Sequence, residues 1–201
     1  MIAIIDYDAG NIQSLKNALD YLEIENVLTK DVSQIESADK IILPGVGAFP
    51  AAVKSLKKYG LFEVLQKCGK EKPFLGICLG MQVLFKKGYE FEETSGLGFI
   101  DGTVNLLEDK SVIIPHMGWN ELEINHDNPL LDGVGKPYVY FVHSYRANCK
   151  YDKNLIAYSN YGSMKSPAVV SDGQYVYGTQ FHPEKSGKSG LKILRNFGDL
   201  K

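Results

Sequence analysis

The sequence predicts an α/β fold: an open, mostly parallel central sheet with flanking helices, and antiparallel strands added in the C-terminal half. Three observations carry that expectation. Short apolar runs alternate with amphipathic stretches through the first 88 residues, and strands alternating with helices are joined by right-handed crossovers into a parallel sheet. From about residue 97 the texture changes to closely spaced β-branched and aromatic runs, the composition of pleated strands. No repeat, low-complexity tract or linker interrupts the chain, so residues 1–201 are expected to form one domain.

The elements follow in order. "IAIID" (2–6) reads as a buried strand and "YDAGN" (7–11) as the turn after it. Ile12, Leu15, Leu19 and Leu22 recur at helical spacing and predict a helix over 12–22. "NVLT" (26–29) and "KIILP" (40–44) are the second and third strands, the latter closed by Pro44. Helices are expected in "AFPAAVKSLKKYG" (48–60), ended by Gly60, and in "LFEVLQKCGK" (61–70). "PFLGI" (73–77) is the fourth strand, and "LGMQVLFKKG" (79–88) a helix stopped near Gly88. The second half offers strands in "TVNLL", "SVIIP", "NELEI", "YVYFVHSY", "LIAYS" and "QYVYGTQF", expected to extend the same sheet system. "SDGQ" (171–174) reads as a hairpin turn joining "AVV" to "YVYGTQ", and "SGLKILRNFGDL" (189–200) as the last helix.

Composition removes several function classes. Apolar content of 44% and charged content of 23% are ordinary for a globular protein, and a net charge of −2 supplies no basic face for nucleic acid. No apolar run approaches the roughly 20 residues of a membrane-spanning helix, and the first residues lack a signal-peptide pattern. Three cysteines at irregular spacing do not suggest a disulfide framework, so a reduced, cytoplasmic protein is expected. "PGVGAF" is not a dinucleotide fingerprint, because Pro50 replaces the final glycine. No Walker A loop, zinc-type cluster or H-E-x-x-H is present either, so neither metal nor cofactor is expected.

Reactive groups of an open α/β sheet belong at the carboxyl ends of its strands. Cys78 sits there, in "GICLG", between Gly76 and Gly80. The pattern matches the G-x-S-x-G nucleophile elbow with cysteine in the serine position. A thiol at a helix start is drawn towards the thiolate and has backbone N–H groups nearby for an anion. Taken alone, the same stretch also describes a buried core cysteine. Of the four histidines, His126 in "INHDNP" reads as a surface turn residue, His143 as a strand-end residue with a structural role, and His116 in "IPHMGWN" as a residue that follows a strand. His182 ends a strand, is held extended by Pro183, and has Glu184 two residues on, where both side chains share a side. That spacing suits a carboxylate orienting an imidazole beside a nucleophile. Gly45 and Gly47 in "PGVG" permit backbone angles that turn N–H groups into a site.

Together, "PGVGAF", "GICLGMQ", "PHMGWN", "YFVHSY" and "FHPEKS" resemble the class I (triad) glutamine amidotransferases. Within them the chain is most similar to the glutaminase subunits of imidazole glycerol phosphate synthases, from the first strand to the last helix. The resemblance implies a flavodoxin-like glutaminase fold and a Cys78–His182–Glu184 triad. Cys78 would attack the side-chain amide of glutamine to form a γ-glutamyl thioester and release ammonia. Leu79 and the Val46–Gly47 segment would supply the oxyanion hole. Gly47, Gln82, Glu90, Ser144 and Tyr145 would hold the substrate, with Glu92 and Glu93 as alternatives to Glu90. The implied partner is a (β/α)8-barrel cyclase receiving the ammonia, with His116, Trp119, Asn120 and Lys185 at the interface. Two other functions fit the same motifs: glutaminase chemistry feeding a different acceptor, as in a sugar amidotransferase, and a stand-alone Cys–His–Glu hydrolase.

Overall fold

The computed structural model describes residues 1–8 and 12–200, so part of the expected turn over 7–11 lies outside the described residues. The first half runs β1 (Ile2–Ile5), α1 (Ile12–Tyr21), β2 (Asn26–Thr29), α2 (Val32–Ser37), β3 (Lys40–Leu43), α3 (Phe49–Lys58), α4 (Phe62–Cys68), β4 (Phe74–Ile77) and α5 (Leu79–Val83). Then come β5 (Phe85–Gly88), β6 (Thr94–Ser95), β7 (Ile100–Leu106), β8 (His116–Glu121), β9 (Glu123–Ile124), β10 (Tyr138–His143) and β11 (Tyr145–Cys149). The chain closes with β12 (Leu155–Tyr161), β13 (Met164–Ser171), β14 (Val176–Thr179) and α6 (Gly187–Asp199).

The main sheet has the order β2-β1-β3-β4-β14-β13-β12-β9. Its first five strands pair in parallel, from Ile2↔Asn26 through Ile42↔Leu75 to Gly178↔Gly76, and the rest are antiparallel. The expected fold class is therefore the observed one, and the five parallel strands have the flavodoxin-like order. Every residue of β1, β4 and β14 is buried, which is why these strands read as continuous apolar runs instead of alternating ones. Period two still decides which layer each side chain joins. Ile4, Ile42, Leu75 and Ile77 face α1 and α6 through Leu15, Leu19, Ile193, Leu194 and Phe197. Ile5, Ile41, Leu43 and Phe74 face α3, α4 and α5. Each large aliphatic or aromatic side chain so buried contributes roughly 1.5–3 kcal/mol.

Four details differ from the sequence expectation. The helix expected over 79–88 stops at Val83, and Phe85–Gly88 is a strand paired with β6 and β7. Tertiary pairing of a buried Phe85 and Gly88 outweighs the helix preference of Lys86 and Lys87. The second-half strands do not all extend one sheet: β11-β7-β5-β6 form a second sheet and β10-β8 a separate pair. "SVIIP" forms no strand; Pro115 has no N–H for a ladder, and β8 begins directly after it. Between β2 and β3 the chain forms α2, capped by Asp31, whose carboxylate accepts from Gln34 N at 3.0 Å. Asp31 with Gln34 three residues on is a helix-start signature legible in the sequence. Asp31→Ala is expected to destabilise the fold by removing this cap, read as a lower urea midpoint with an unchanged slope.

Candidate active site

Three turns leave the carboxyl ends of the adjacent strands β3, β4 and β14, and they meet at one cleft of about 340 Å³. The middle turn holds Cys78 at φ +55° and ψ −110°, a conformation strained for any residue with a Cβ. Two glycines make it possible. A Cβ on Gly76 would lie 2.6 Å from the Gly80 carbonyl oxygen, and one on Gly80 would lie 1.8 Å from that of Leu43. With no side chain there, α5 descends directly onto β3 and β4. Cys78 N donates to Thr179 O at 2.7 Å, which ties the turn to β14.

His182 follows β14 and opens a single 3₁₀ turn, Pro183–Lys185. Its N–H donates to Tyr140 O at 3.0 Å, and Ser186 Oγ donates to His182 O at 2.7 Å while accepting from Tyr140 N at 3.0 Å. The imidazole is thus clamped to β10. Nδ1 lies 2.8 Å from Glu184 Oε1, with both side chains almost wholly buried. A carboxylate can only accept, so Nδ1 carries the proton and Nε2 is left as the base. Nε2 is buried without a hydrogen-bond partner, and Cys78 stands in the wall of the same cleft. Burial alone would push the His182 pKa down, but Cys78 and Glu184 together push it up to about 9.

The third turn carries the two glycines after Pro44. Tyr7 Oη donates to Pro44 O at 2.7 Å, and Leu79 N donates to Gly45 O at 3.4 Å. The planar Gly45–Val46 peptide therefore turns its carbonyl towards the cysteine turn and its N–H away. Gly47 has φ +103°, a region that glycine enters at no steric cost.

The cleft wall contains Cys78, His182, Val46 and Leu79, and all five residues expected at the substrate: Gly47, Gln82, Glu90, Ser144 and Tyr145. Glu90 reaches it from the loop after β5, where Oε2 accepts from Phe49 N at 2.7 Å. The alternatives do not: Glu93 pairs with Lys87, and Glu92 lines a separate groove beside α3. Of the expected interface residues, Trp119 is 56% exposed on β8, Lys185 is exposed and Asn120 is half-buried. His116 presents no surface in the single chain. It is buried in a stack between Phe141 and Tyr161 and contacts His143 Nε2 through Nδ1 at 3.2 Å. Burial pushes His116 down to about 4 and His143 to about 3, so both rings are neutral hydrogen-bonding groups. His126, paired with Asp152, lies away on the surface.

Ser186 and Gln180 are the residues that sequence reasoning passed over. Gln180 is fully buried, with Nε2 3.7 Å from Cys78 Sγ. The signal was available, since residues 180 and 182 share a face in extended chain. Cys68 and Cys149 have no comparable setting: burial raises the pKa of both, that of Cys149 to about 12. Among the described residues, no group of three or more His, Cys, Asp or Glu is gathered as metal ligands would be.

The arrangement can perform nucleophilic acyl transfer. A thiol faces an oriented imidazole that can take its proton and later give it to a leaving nitrogen. The His182 value lies above the ordinary 6.5, so the folded state binds this proton more tightly than the unfolded chain. The stabilisation is complete below pH 6.5 and is lost as pH rises through about 9. Cys78→Ala removes one of the two raising groups. Its His182 should titrate at lower pH by NMR, and an unmoved titration would refute the pairing.

The model of the family "Glutamine amidotransferase class-I" matches residues 3–199. The chain is 46% identical over 202 aligned residues to "Imidazole glycerol phosphate synthase subunit HisH" of Listeria monocytogenes serotype 4b (strain CLIP80459), covering 100% of this chain and 96% of the relative. A protein of the same name from Lactococcus lactis subsp. lactis (strain IL1403) is 50% identical over 198 residues, covering 98% and 96%. Among solved structures, a glutamine amidotransferase superposes with a TM-score of 0.76 at 22% identity, covering 98% of this chain and 97% of the other. PurLQS from Thermotoga maritima gives 0.67 at 22% identity, covering 98% and 96%. These two likenesses concern the fold. The family match, spanning nearly every residue, and relatives at almost half identity place this chain in the class-I glutamine amidotransferase family.

Proposed function

We propose that this chain is the glutaminase subunit of an imidazole glycerol phosphate synthase, a single domain acting in histidine biosynthesis in the cytoplasm. The observation that supports it best is the 46–50% identity, over nearly the whole chain, to relatives bearing that subunit's name. Among the described residues, no helix is long and apolar enough to cross a membrane.

In this reading His182 Nε2 takes the Cys78 proton, and Sγ attacks the carboxamide carbon of L-glutamine. The imidazolium then protonates the leaving nitrogen, giving ammonia and a γ-glutamyl thioester. Water, deprotonated by the same imidazole, releases glutamate. Glu184 keeps the ring in the required tautomer. Gln82, Glu90, Ser144, Tyr145 and Gly47 hold the substrate's amide, ammonium and carboxylate. The chemistry involves no metal or cofactor.

Ammonia is largely protonated at neutral pH and is then no nucleophile, so it must pass directly to its acceptor. The partner in this reading is a (β/α)8-barrel cyclase that makes imidazole glycerol phosphate and aminoimidazole carboxamide ribonucleotide. The β8–β10 pair is the docking face. It presents exposed Met117, Trp119 and Tyr138, with Asn120 on the same pair and Lys185 exposed in the turn after His182. His116 acts from beneath, by holding β8.

The Gly45–Val46 peptide is the regulatory element of this proposal. With Gly45 O against Leu79 N, the oxyanion position is occupied by a carbonyl. Rotating that peptide would free Leu79 N–H and bring Val46 N–H beside it, and the flanking glycines lower the cost. One oxyanion donor is worth roughly 10²–10³ in rate. Glutamine hydrolysis by the lone chain is therefore expected to be slower by about that factor than in the complex with acceptor present. Full activity without partner would refute the switch. Cys78→Ala should abolish turnover in both settings, and ammonia delivery to the imidazole-forming acceptor separates this function from that of a sugar amidotransferase. Trp119→Ala should weaken the complex by about 2 kcal/mol, roughly 30-fold in Kd, measured by titration calorimetry.

A further inference from the structure

We propose that Gln180 is a further catalytic residue, whose side-chain N–H donates to the Cys78 sulfur and stabilises the thiolate as it forms. The proposal rests on Cys78 being the nucleophile of the glutaminase reading.

The orientation of the Gln180 amide follows from its neighbours. The Tyr145 carbonyl can only accept, so the Gln82 side chain presents Nε2 to it, at 2.9 Å. That same nitrogen lies 3.1 Å from the Gln180 amide, which must therefore present Oε1 to it. The nitrogen of Gln180 is left on the other side, 3.7 Å from Sγ. The side chain is fully buried, and its backbone N–H is fixed in the sheet by Ala168 O at 2.9 Å. This amide has no other orientation that satisfies its partners.

The second contact of the sulfur gives the N–H its role. Cys78 Sγ also lies 4.0 Å from Val142 O, the direction in which a neutral thiol donates. A thiolate has no proton for that carbonyl and gains most from a donor, because hydrogen bonds to ionised groups are about twice as strong as neutral ones. Gln180 thus favours the state in which His182 has taken the proton. Gln82, on the substrate wall, holds Gln180 in that pose.

The test is the pH dependence of Cys78 alkylation by iodoacetamide in the full chain, with Cys78→Ala as the background for Cys68 and Cys149. Gln180→Met keeps the volume and removes the donor. Its alkylation at pH 7 should fall about tenfold relative to wild type, with the gap closing as the pH is raised. Glutamine hydrolysis in the complex should lose kcat with little change in KM. Gln82→Met removes the donor that holds the Gln180 amide in its pose, so it should lower hydrolysis and also reduce alkylation at pH 7, by less than Gln180→Met does. An unmoved profile in Gln180→Met, with the hydrolysis loss of Gln82→Met, would overturn the proposal and leave Gln180 as a brace for Gln82. If Gln180→Met does not fold by circular dichroism, Gln180→Asn, which draws the amide back from the sulfur, decides on the same criterion. Alkylation needs no glutamine, so a wild-type complex that fails to hydrolyse it counts against the glutaminase reading alone.

Discussion

The site depends on one close approach: a helix pressed onto two parallel strands with nothing between them. At Gly80 a single methyl group would fall inside the Leu43 carbonyl, and at Gly76 inside that of Gly80. Removing side chains there brings α5 against β3 and β4 and forces Cys78 into a left-handed turn. Buried packing on both faces of β4 sustains the strain, because relaxing the turn would lift α5 from a core that includes Leu79, Met81 and Val83. The same contact sets the distance between the cysteine and the turn after β3. The Cys78 turn and the loop facing it are therefore products of one packing event.

Electrostatics divides three buried histidines into two kinds. His116 and His143 lose their charge to burial and serve as neutral links from β8 to the Tyr145 carbonyl, which His143 Nδ1 contacts at 2.9 Å. His182 is buried to a similar degree, but a carboxylate and a thiol face its two nitrogens and reverse the balance. The Tyr145 carbonyl is a junction. It accepts from His143 on one side and from Gln82 on the other, and through Gln82 it reaches Gln180 and the sulfur. Gln82, Cys78 and β8 are thus joined through buried hydrogen bonds, each of which costs more to break than to keep.

Much of this was legible in the residues. The parallel half of the sheet followed from the alternation of "IAIID", "NVLT", "KIILP" and "PFLGI" with amphipathic segments, and the cysteine turn from glycines two residues either side. Misassigned segments share a cause. Phe85–Gly88 has helix-compatible composition and becomes a strand only because β6 and β7 are there to pair with it. Whether β7 and β11 join the main sheet or form another depends on partners far along the chain, which periodicity does not encode.

The sequence by itself determined the chemistry and its local geometry: an elbow that only glycines permit, an imidazole with an acid two residues on, and an apolar set large enough to bury them. Those are short-range facts, fixed by sterics and spacing. The tertiary structure decided which of Glu90, Glu92 and Glu93 reaches the cleft, which way the Gly45–Val46 peptide points, that Trp119 is exposed while His116 is not, and that Gln180 touches the sulfur. Each of these turns on a contact between residues distant in the chain, and only packing brings such residues together.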